Sequence, residues 1–155
     1  MSLQVKIADD LMEAMRRKDS ARVSALRMIK AGIKYAEVAK GASLDDPGVV
    51  EVLSKQARER RESIVEFNKG GRQDLVAKEE AELQILLEYM PQQLSREEIT
   101  AEAQRVVQET GAKGPQDKGK VMQALMGKLR GRAEGREINE VVTHLLTSDS
   151  TTDNP

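Results

Sequence analysis

The stretch DKGKVMQALMGKLRGRAEGREINEVVTHLL, residues 117–146, decides the fold. Apolar residues recur in it every three or four positions, first over 121–129 and again over 138–145, as they do on one face of an α-helix. Gly131 and Gly135 lie between these two runs, and glycine often ends a helix in the left-handed conformation. The stretch therefore predicts two helices joined by a short turn, with Gly131 as the stop.

The same stretch carries a local excess of positive charge. Between Gly111 and Arg136 there are seven basic residues against two acidic ones, a net charge of +5, whereas the whole chain carries −1. A concentrated basic surface attracts polyanions and releases their counterions on binding. We predict that this surface, the basic cluster, binds RNA. Its members are Lys113, Lys118, Lys120, Lys128, Arg130, Arg132 and Arg136.

A solvated face without a nucleic-acid partner is the competing interpretation of the basic cluster. The cluster contains no aromatic residue, so base stacking of the kind that single-strand binders use is not expected. Recognition would instead depend on backbone phosphates and helical shape. That mode suits a folded RNA such as tRNA better than a sequence-specific DNA site.

Outward from this stretch, glycine, proline and capping residues divide the rest of the chain into helices. Pro91 interrupts the apolar pattern, and Ser95 and Glu98 after it have the spacing of a capping box, which marks a new helix start. Asp46 followed by Pro47 is typical of a helix cap with proline in the first turn. The predicted helices cover 2–18, 20–40, 46–69, 73–89, 96–109, 116–130 and 136–146.

These helices predict an all-α protein in two parts. About four helices form an N-terminal helical domain over 1–92, and three shorter helices form a C-terminal module over 93–147. Residues 148–155 have no apolar anchor and are predicted to be a disordered tail. The expected core of the module is Ile99, Val106, Val121, Leu125, Leu129, Ile138, Val141, Val142 and Leu145.

Composition excludes several classes of protein. The chain has no cysteine, which excludes disulfides and thiol catalysis, and aromatic residues are only 2%, so the core must be aliphatic. No apolar run approaches the roughly 20 residues that a membrane helix needs. The first residues lack the apolar core of a signal peptide, so a cytoplasmic location is expected.

Few side chains suggest a metal or catalytic site. His144 is alone and should lie on the surface. A di-iron helical bundle would require Glu-x-x-His pairs, and the sequence contains none. A group of carboxylates is therefore expected to form a solvated acidic face on and after the fourth helix: Glu79, Glu80, Glu82 and Glu88.

Arg60 differs from its neighbours Arg58 and Arg61 because it lies close to the apolar stripe of the third helix, marked by Ala57 and Ile64. An arginine in that position could pair with a glutamate of the fourth helix and fix the packing of the bundle. A phosphate contact is the alternative role.

Seven positions of the C-terminal stretch carry a resemblance to a known family: Gly119, Met126, Gly131, Arg132, Ala133, Ile138 and Asn139. They fall as in the C-terminal module of the GatB/YqeY family. Three further segments, at residues 26–34 (LRMIKAGIK), 56–95 and 109–122, resemble the stand-alone YqeY-like members, so the resemblance covers nearly the whole chain. It implies an all-helical protein whose last third is similar to the tail of the B subunit of glutamine-dependent aspartyl/glutamyl-tRNA amidotransferase.

In that enzyme the tail belongs to the tRNA-handling part, and the chemistry takes place in a separate domain that has no counterpart here. The resemblance thus implies a non-catalytic tRNA-binding or tRNA-amidotransferase-like accessory protein. Its partner would be tRNA or another folded RNA, or a protein of the tRNA charging or translation machinery. The family label of a carbon–nitrogen ligase with glutamine as amido-N-donor also follows from the resemblance.

The residues themselves argue against independent ligase activity. There is no cysteine nucleophile, no Gly-x-x-x-x-Gly-Lys phosphate loop and no serine–lysine arrangement like that of an amidase. No catalytic residue, cofactor or metal is therefore expected. A helical scaffold for protein–protein interaction is the main alternative function. DNA binding by a helix-turn-helix is less favoured, because residues 137–141 are too acidic for a DNA groove.

Overall fold

The computed structural model describes the backbone of residues 2–152 and the side chains of residues 2–147. This part of the chain is helical and contains no strand, which confirms the all-α fold class. None of its helices is long and apolar enough to cross a membrane. The helices are α1 (Leu3–Arg17), α2 (Ser20–Lys40), α3 (Asp46–Lys69), α4 (Gln73–Leu87), α5 (Arg96–Thr110), α6 (Lys118–Leu129) and α7 (Gly135–Thr152), with a 3-10 turn at Pro115–Asp117.

The predicted helix boundaries are close to the observed ones because the capping residues act as expected. The Ser95 hydroxyl accepts from the Glu98 backbone N–H at 3.2 Å, and the Glu98 carboxylate accepts from the Ser95 N–H at 3.2 Å, which completes the capping box. The predicted cap of α3 is wrong by one residue: the Asp45 carboxylate accepts from the Gly48 backbone N–H at 2.9 Å, and Asp46 is already the first residue of the helix. Gly41 and Gly131 end α2 and the α6 turn with φ of 75° and 77°.

The chain forms two compact units, Met1–Pro91 and Gln92–Pro155. In the N-terminal unit, α1 to α4 pack around an aliphatic core. The apolar periodicity of the sequence predicts Met15 of the first helix and Val50 of the third as inward positions, and both predictions are wrong. Met15 is 49% exposed and Ala14 is buried, while Val49 rather than Val50 is fully buried. Successive residues lie about 100° apart around a helix. If the buried face is shifted by one position, the neighbouring residue faces the core in place of the predicted one.

Tyr89 connects the end of α4 to α1. Its ring is buried, its hydroxyl donates to the Asp10 carboxylate at 2.5 Å, and the Lys6 ammonium lies 5.5 Å from the ring centroid. Burial, and then the hydrogen bond to Asp10, raise the pKa of Tyr89 above its ordinary value.

The expected acidic face of α4 is wrong at Glu82, which is buried. The Arg60 Nη1 bonds the carboxylates of Glu82 and, at 2.9 Å, of Glu79, and the Ser24 hydroxyl donates to Glu82 at 3.2 Å. The physical reason is helical spacing. Arg60 continues the buried stripe of α3 three residues after Ala57, so it requires counter-charges from the helix that packs against it. The expected pairing of Arg60 with a glutamate of the fourth helix is confirmed.

Replacing Arg60 by alanine should lower the free energy of unfolding by about 3 to 5 kcal/mol, because two carboxylates would then lack their counter-ion in the interior. Urea denaturation of the purified variant measures the change. Arg58→Ala, at an exposed position on the same helix, is the control and should shift the free energy of unfolding by no more than about 0.5 kcal/mol. Similar losses in the two variants would contradict a special role for Arg60.

In the C-terminal unit, α5, α6 and α7 enclose a second aliphatic core. Leu146 is buried and Leu145 only partly so, which reverses the prediction for this pair. The helix also continues to Thr152, beyond its predicted end at 146 and into the tail predicted to be disordered. Residues 147–152 contain no glycine or proline, so nothing in the backbone stops the helix there. Residues 153–155 lie outside the described part of the chain.

Because each unit has its own core, we expect residues 1–91 and 92–155 to fold when expressed separately. Each fragment should show helical circular dichroism and a cooperative thermal transition. The intact chain is the reference for both signals. Loss of cooperative melting in both fragments would show that neither core suffices alone.

Candidate nucleic-acid interface

The turn between α6 and α7 carries the arginines of the basic cluster, and hydrogen bonds hold it in place. Gly131 has a φ of 77°, a conformation that residues with side chains rarely adopt. The segment before α5 lies against this turn. The Leu94 N–H donates to the Arg132 carbonyl at 2.8 Å, and the Gln93 amide donates to the Gly131 carbonyl at 2.7 Å. The turn is therefore pre-formed, which fixes where its side chains emerge.

The three arginines of this turn, called the turn arginines, do not have equivalent environments. Arg130 and Arg136 are exposed. Arg132 is half-buried, and its Nε donates to the Gln92 carbonyl at 3.4 Å, so its side chain also holds the segment before α5. Substitution of Arg132 would consequently disturb the turn as well as any ligand contact.

Two lysines of α6, called the α5-facing lysines, reach the last turn of α5. The Lys120 ammonium donates to the Thr110 carbonyl at 3.1 Å, and the Lys128 ammonium lies 3.3 Å from the Glu109 carboxylate. The Lys128 and Glu109 side chains are 46% and 55% exposed. Exposed ion pairs contribute about 0 to 1 kcal/mol, so Glu109 does not prevent Lys128 from contacting another anion.

The remaining members of the basic cluster lie around the 3-10 turn. Lys113 is exposed, and its backbone N–H donates to the Asp117 carboxylate at 2.9 Å. Lys118, the first residue of α6, is half-buried. The described contacts therefore bring the α5-facing lysines to one helix end and the turn arginines to the α6–α7 connection. These contacts do not bring all seven cations together at one site.

The chemistry available to this surface is the binding of anions. His144 is exposed, as expected, and lies next to partly buried Leu145. Among the side chains described, no group of three or more histidines and carboxylates is arranged to hold a metal ion. What the unit presents is a set of ammonium and guanidinium groups around a rigid turn, a pattern suited to phosphate contacts.

Two structural features do not follow from the sequence, one at the basic cluster and one in the N-terminal unit. The contact of Arg132 with Gln92 depends on how the segment before α5 folds back in space. The apolar spacing of the first helix predicts Met15 inside the N-terminal core, although Met15 is half exposed at a groove beside α2. That spacing is the same as for a core position, so no local signal distinguishes Met15.

Comparison with known proteins places these observations in a family. The model of the family described as Yqey-like protein matches residues 4–146. A protein of Lachancea thermotolerans is 37% identical over 109 residues, which are 68% of this chain and 58% of the relative. A protein of Saccharomyces cerevisiae is 42% identical over 84 residues, 54% of this chain and 45% of the relative. The chain thus spans about half the length of the curated relatives it matches.

The expected cytoplasmic location is wrong by this comparison. Both relatives are named altered inheritance of mitochondria protein 41, mitochondrial. The expectation depended on the lack of an apolar signal-peptide core. That lack does not distinguish a cytoplasmic protein from a mitochondrial one.

The extent of the family match decides the assignment. The matched residues run from the second residue of α1 into α7 and include both helical units with the turn that carries the arginines. The chain therefore belongs to the YqeY-like family.

Proposed function

We propose that this protein is a non-catalytic, tRNA-binding accessory factor of the tRNA-amidotransferase or translation machinery. The observation that carries the proposal is the exposure of most of the basic cluster, together with the position of its three arginines at a pre-formed turn. Five of its seven cations are exposed, and only Lys118 and Arg132 are half-buried. Cations held on a rigid surface bind phosphates without first having to be ordered.

The mode of binding follows from what the C-terminal unit lacks and what it exposes. Residues 92–155 contain no phenylalanine, tyrosine or tryptophan, so this unit lacks the stacking platforms that single-strand binders use. Lysine and arginine side chains that reach phosphates confer affinity but little sequence specificity. A folded RNA, which presents phosphates at fixed spacings, is therefore the ligand class that fits best.

The proposed role is non-catalytic because the sequence offers no nucleophile paired with a base in this unit. The relatives' names describe inheritance of mitochondria and state no ligand, so they neither supply nor oppose the tRNA partner. Any contribution to amide transfer would then come from delivering or holding the RNA for another protein.

Charge reversal tests the RNA surface. The triple variant Lys120→Glu, Lys128→Glu and Arg130→Glu should lose most tRNA retention, because three exposed cations become repulsive to phosphate. For the parent protein, affinity should fall steeply between roughly 50 and 200 mM salt. In the triple variant, the slope of the logarithm of the binding constant against the logarithm of the salt concentration should be less steep by roughly 0.7 to 0.9 for each phosphate contact removed. Electrophoretic mobility shift with bulk tRNA at several salt concentrations measures both effects.

The matched control reverses three exposed cations outside the cluster: Lys40→Glu, Lys55→Glu and Arg105→Glu. It changes the net charge equally, so long-range repulsion is the same in both triple variants. Arg132 stays unchanged because it bonds Gln92. If the two triple variants, both folded by circular dichroism, retain tRNA equally, the basic cluster is not the binding surface. Negligible retention by the parent at every salt concentration would reject RNA binding itself.

A further inference from the structure

A groove in the N-terminal unit lies where α1 ends and α2 begins, and its volume is about 670 Å³. Its apolar lining comes from Met15, Val23 and Met28, and its charged lining comes from Lys18 and Arg27. We call it the methionine groove. It belongs to the other unit from the basic cluster, so it poses a separate question from RNA binding.

The methionines of this groove are exposed to an unusual extent for long apolar side chains. Met15 is 49% exposed and Met28 is 51% exposed, and neighbouring Met12 is 63% exposed. Methionine is unbranched and polarisable, so a surface rich in it adapts to apolar side chains of different shapes. Such surfaces are typical of sites that accept a partner helix.

The charge around the groove is positive and not neutralised. The side chains of Lys18 and Arg27 make no hydrogen bond or ion pair within the described part of the chain. Adjacent cations are paired: Arg16 and Arg17 with Glu13, and Arg22 with Glu88. An incoming group that faces Lys18 and Arg27 would therefore gain most from carrying carboxylates.

The floor of the groove is fixed to the interior. The Ser24 hydroxyl bonds buried Glu82 at 3.2 Å, and the Met28 sulfur accepts from Arg60 Nη2 at 3.8 Å. The Met28 carbonyl accepts from the Gln56 amide at 2.9 Å. These contacts hold α2 against α3 and α4, so the groove exists before a partner arrives and costs little to organise.

We infer that the methionine groove binds an acidic amphipathic helix of a partner protein. Leucine-like side chains at positions i, i+3, i+4 and i+7 would pack among Met15, Val23 and Met28. Glutamates beside them would face Lys18 and Arg27. A phosphate backbone suits this site poorly, since it would have to lie against three apolar side chains.

The probe is a fluorescein-labelled synthetic peptide of about 16 residues, long enough for four helical turns. One face carries leucines at the spacing above, and glutamates flank them. A second peptide has lysine in place of each glutamate, and a third has serine in place of each leucine. Fluorescence anisotropy with the full chain should show binding of the first peptide and at least about tenfold weaker binding of the other two.

The groove variant is Met15→Gln with Arg27→Glu, which removes one apolar contact and reverses one charge. It should bind the acidic peptide at least about tenfold more weakly than the parent does. The control is Val65→Gln with Lys55→Glu, matched in both kinds of change and located on exposed positions of α3. Its affinity should equal that of the parent. Lys18 is left unchanged because its φ is 57°, and Met28 because its sulfur contacts Arg60.

Four outcomes would overturn the inference. The first is that the acidic peptide does not bind the parent, and the second is that it binds the groove variant as tightly as the control variant. The third is that the serine peptide binds the parent as tightly as the acidic peptide does. The fourth is that the parent self-associates and that only the groove variant abolishes this self-association. The last outcome, seen by sedimentation velocity, would assign the groove to a second copy of this chain. Retained tRNA binding in the groove variant separates this result from the fate of the RNA proposal.

Discussion

The buried ion pair between Arg60 and Glu82 is the constraint on which the N-terminal unit depends. The core around it is aliphatic, and contacts between aliphatic side chains favour burial without fixing one register of one helix against another. A buried guanidinium is directional, because only carboxylates at the correct height of α4 satisfy it. Through Ser24 and Met28 the same pair also fixes α2, so one charged contact sets the relative positions of three helices.

In the C-terminal unit, the backbone rather than a buried ion pair fixes how two helices are connected. The buried side chains described there are all apolar. The geometry of the α6–α7 connection comes from the left-handed conformation of Gly131 and from the two hydrogen bonds that Gln93 and Leu94 donate to the connection. Charge is consequently confined to the outside of this unit. The exposed cations of this unit can be changed with little effect on its core, whereas in the N-terminal unit Arg60 and Glu82 combine charge with packing.

Local signals in the sequence predicted the helices well and their burial less well. Capping residues such as Ser95 and stops such as Gly131 act over three or four positions, so they are readable without the fold. The exchanges between Met15 and Ala14 and between Leu145 and Leu146 depend on how far each helix rotates against its neighbours. Burial of Glu82 depends on a partner 22 residues earlier in the chain. For the basic cluster, the sequence predicted its members, but the contact of Arg132 with Gln92 required a fold-back that no local pattern encodes.

The distribution of aromatic residues has a consequence for spectroscopy. The chain has no tryptophan, and its two tyrosines and one phenylalanine, at positions 35, 89 and 67, all belong to the N-terminal unit. Tyr89 is buried, whereas Tyr35 is 77% exposed. Intrinsic fluorescence and near-ultraviolet dichroism of the intact chain therefore come from the N-terminal unit and are silent about the unit that carries the basic cluster. A tryptophan introduced into the C-terminal unit would give that half of the molecule an optical signal of its own.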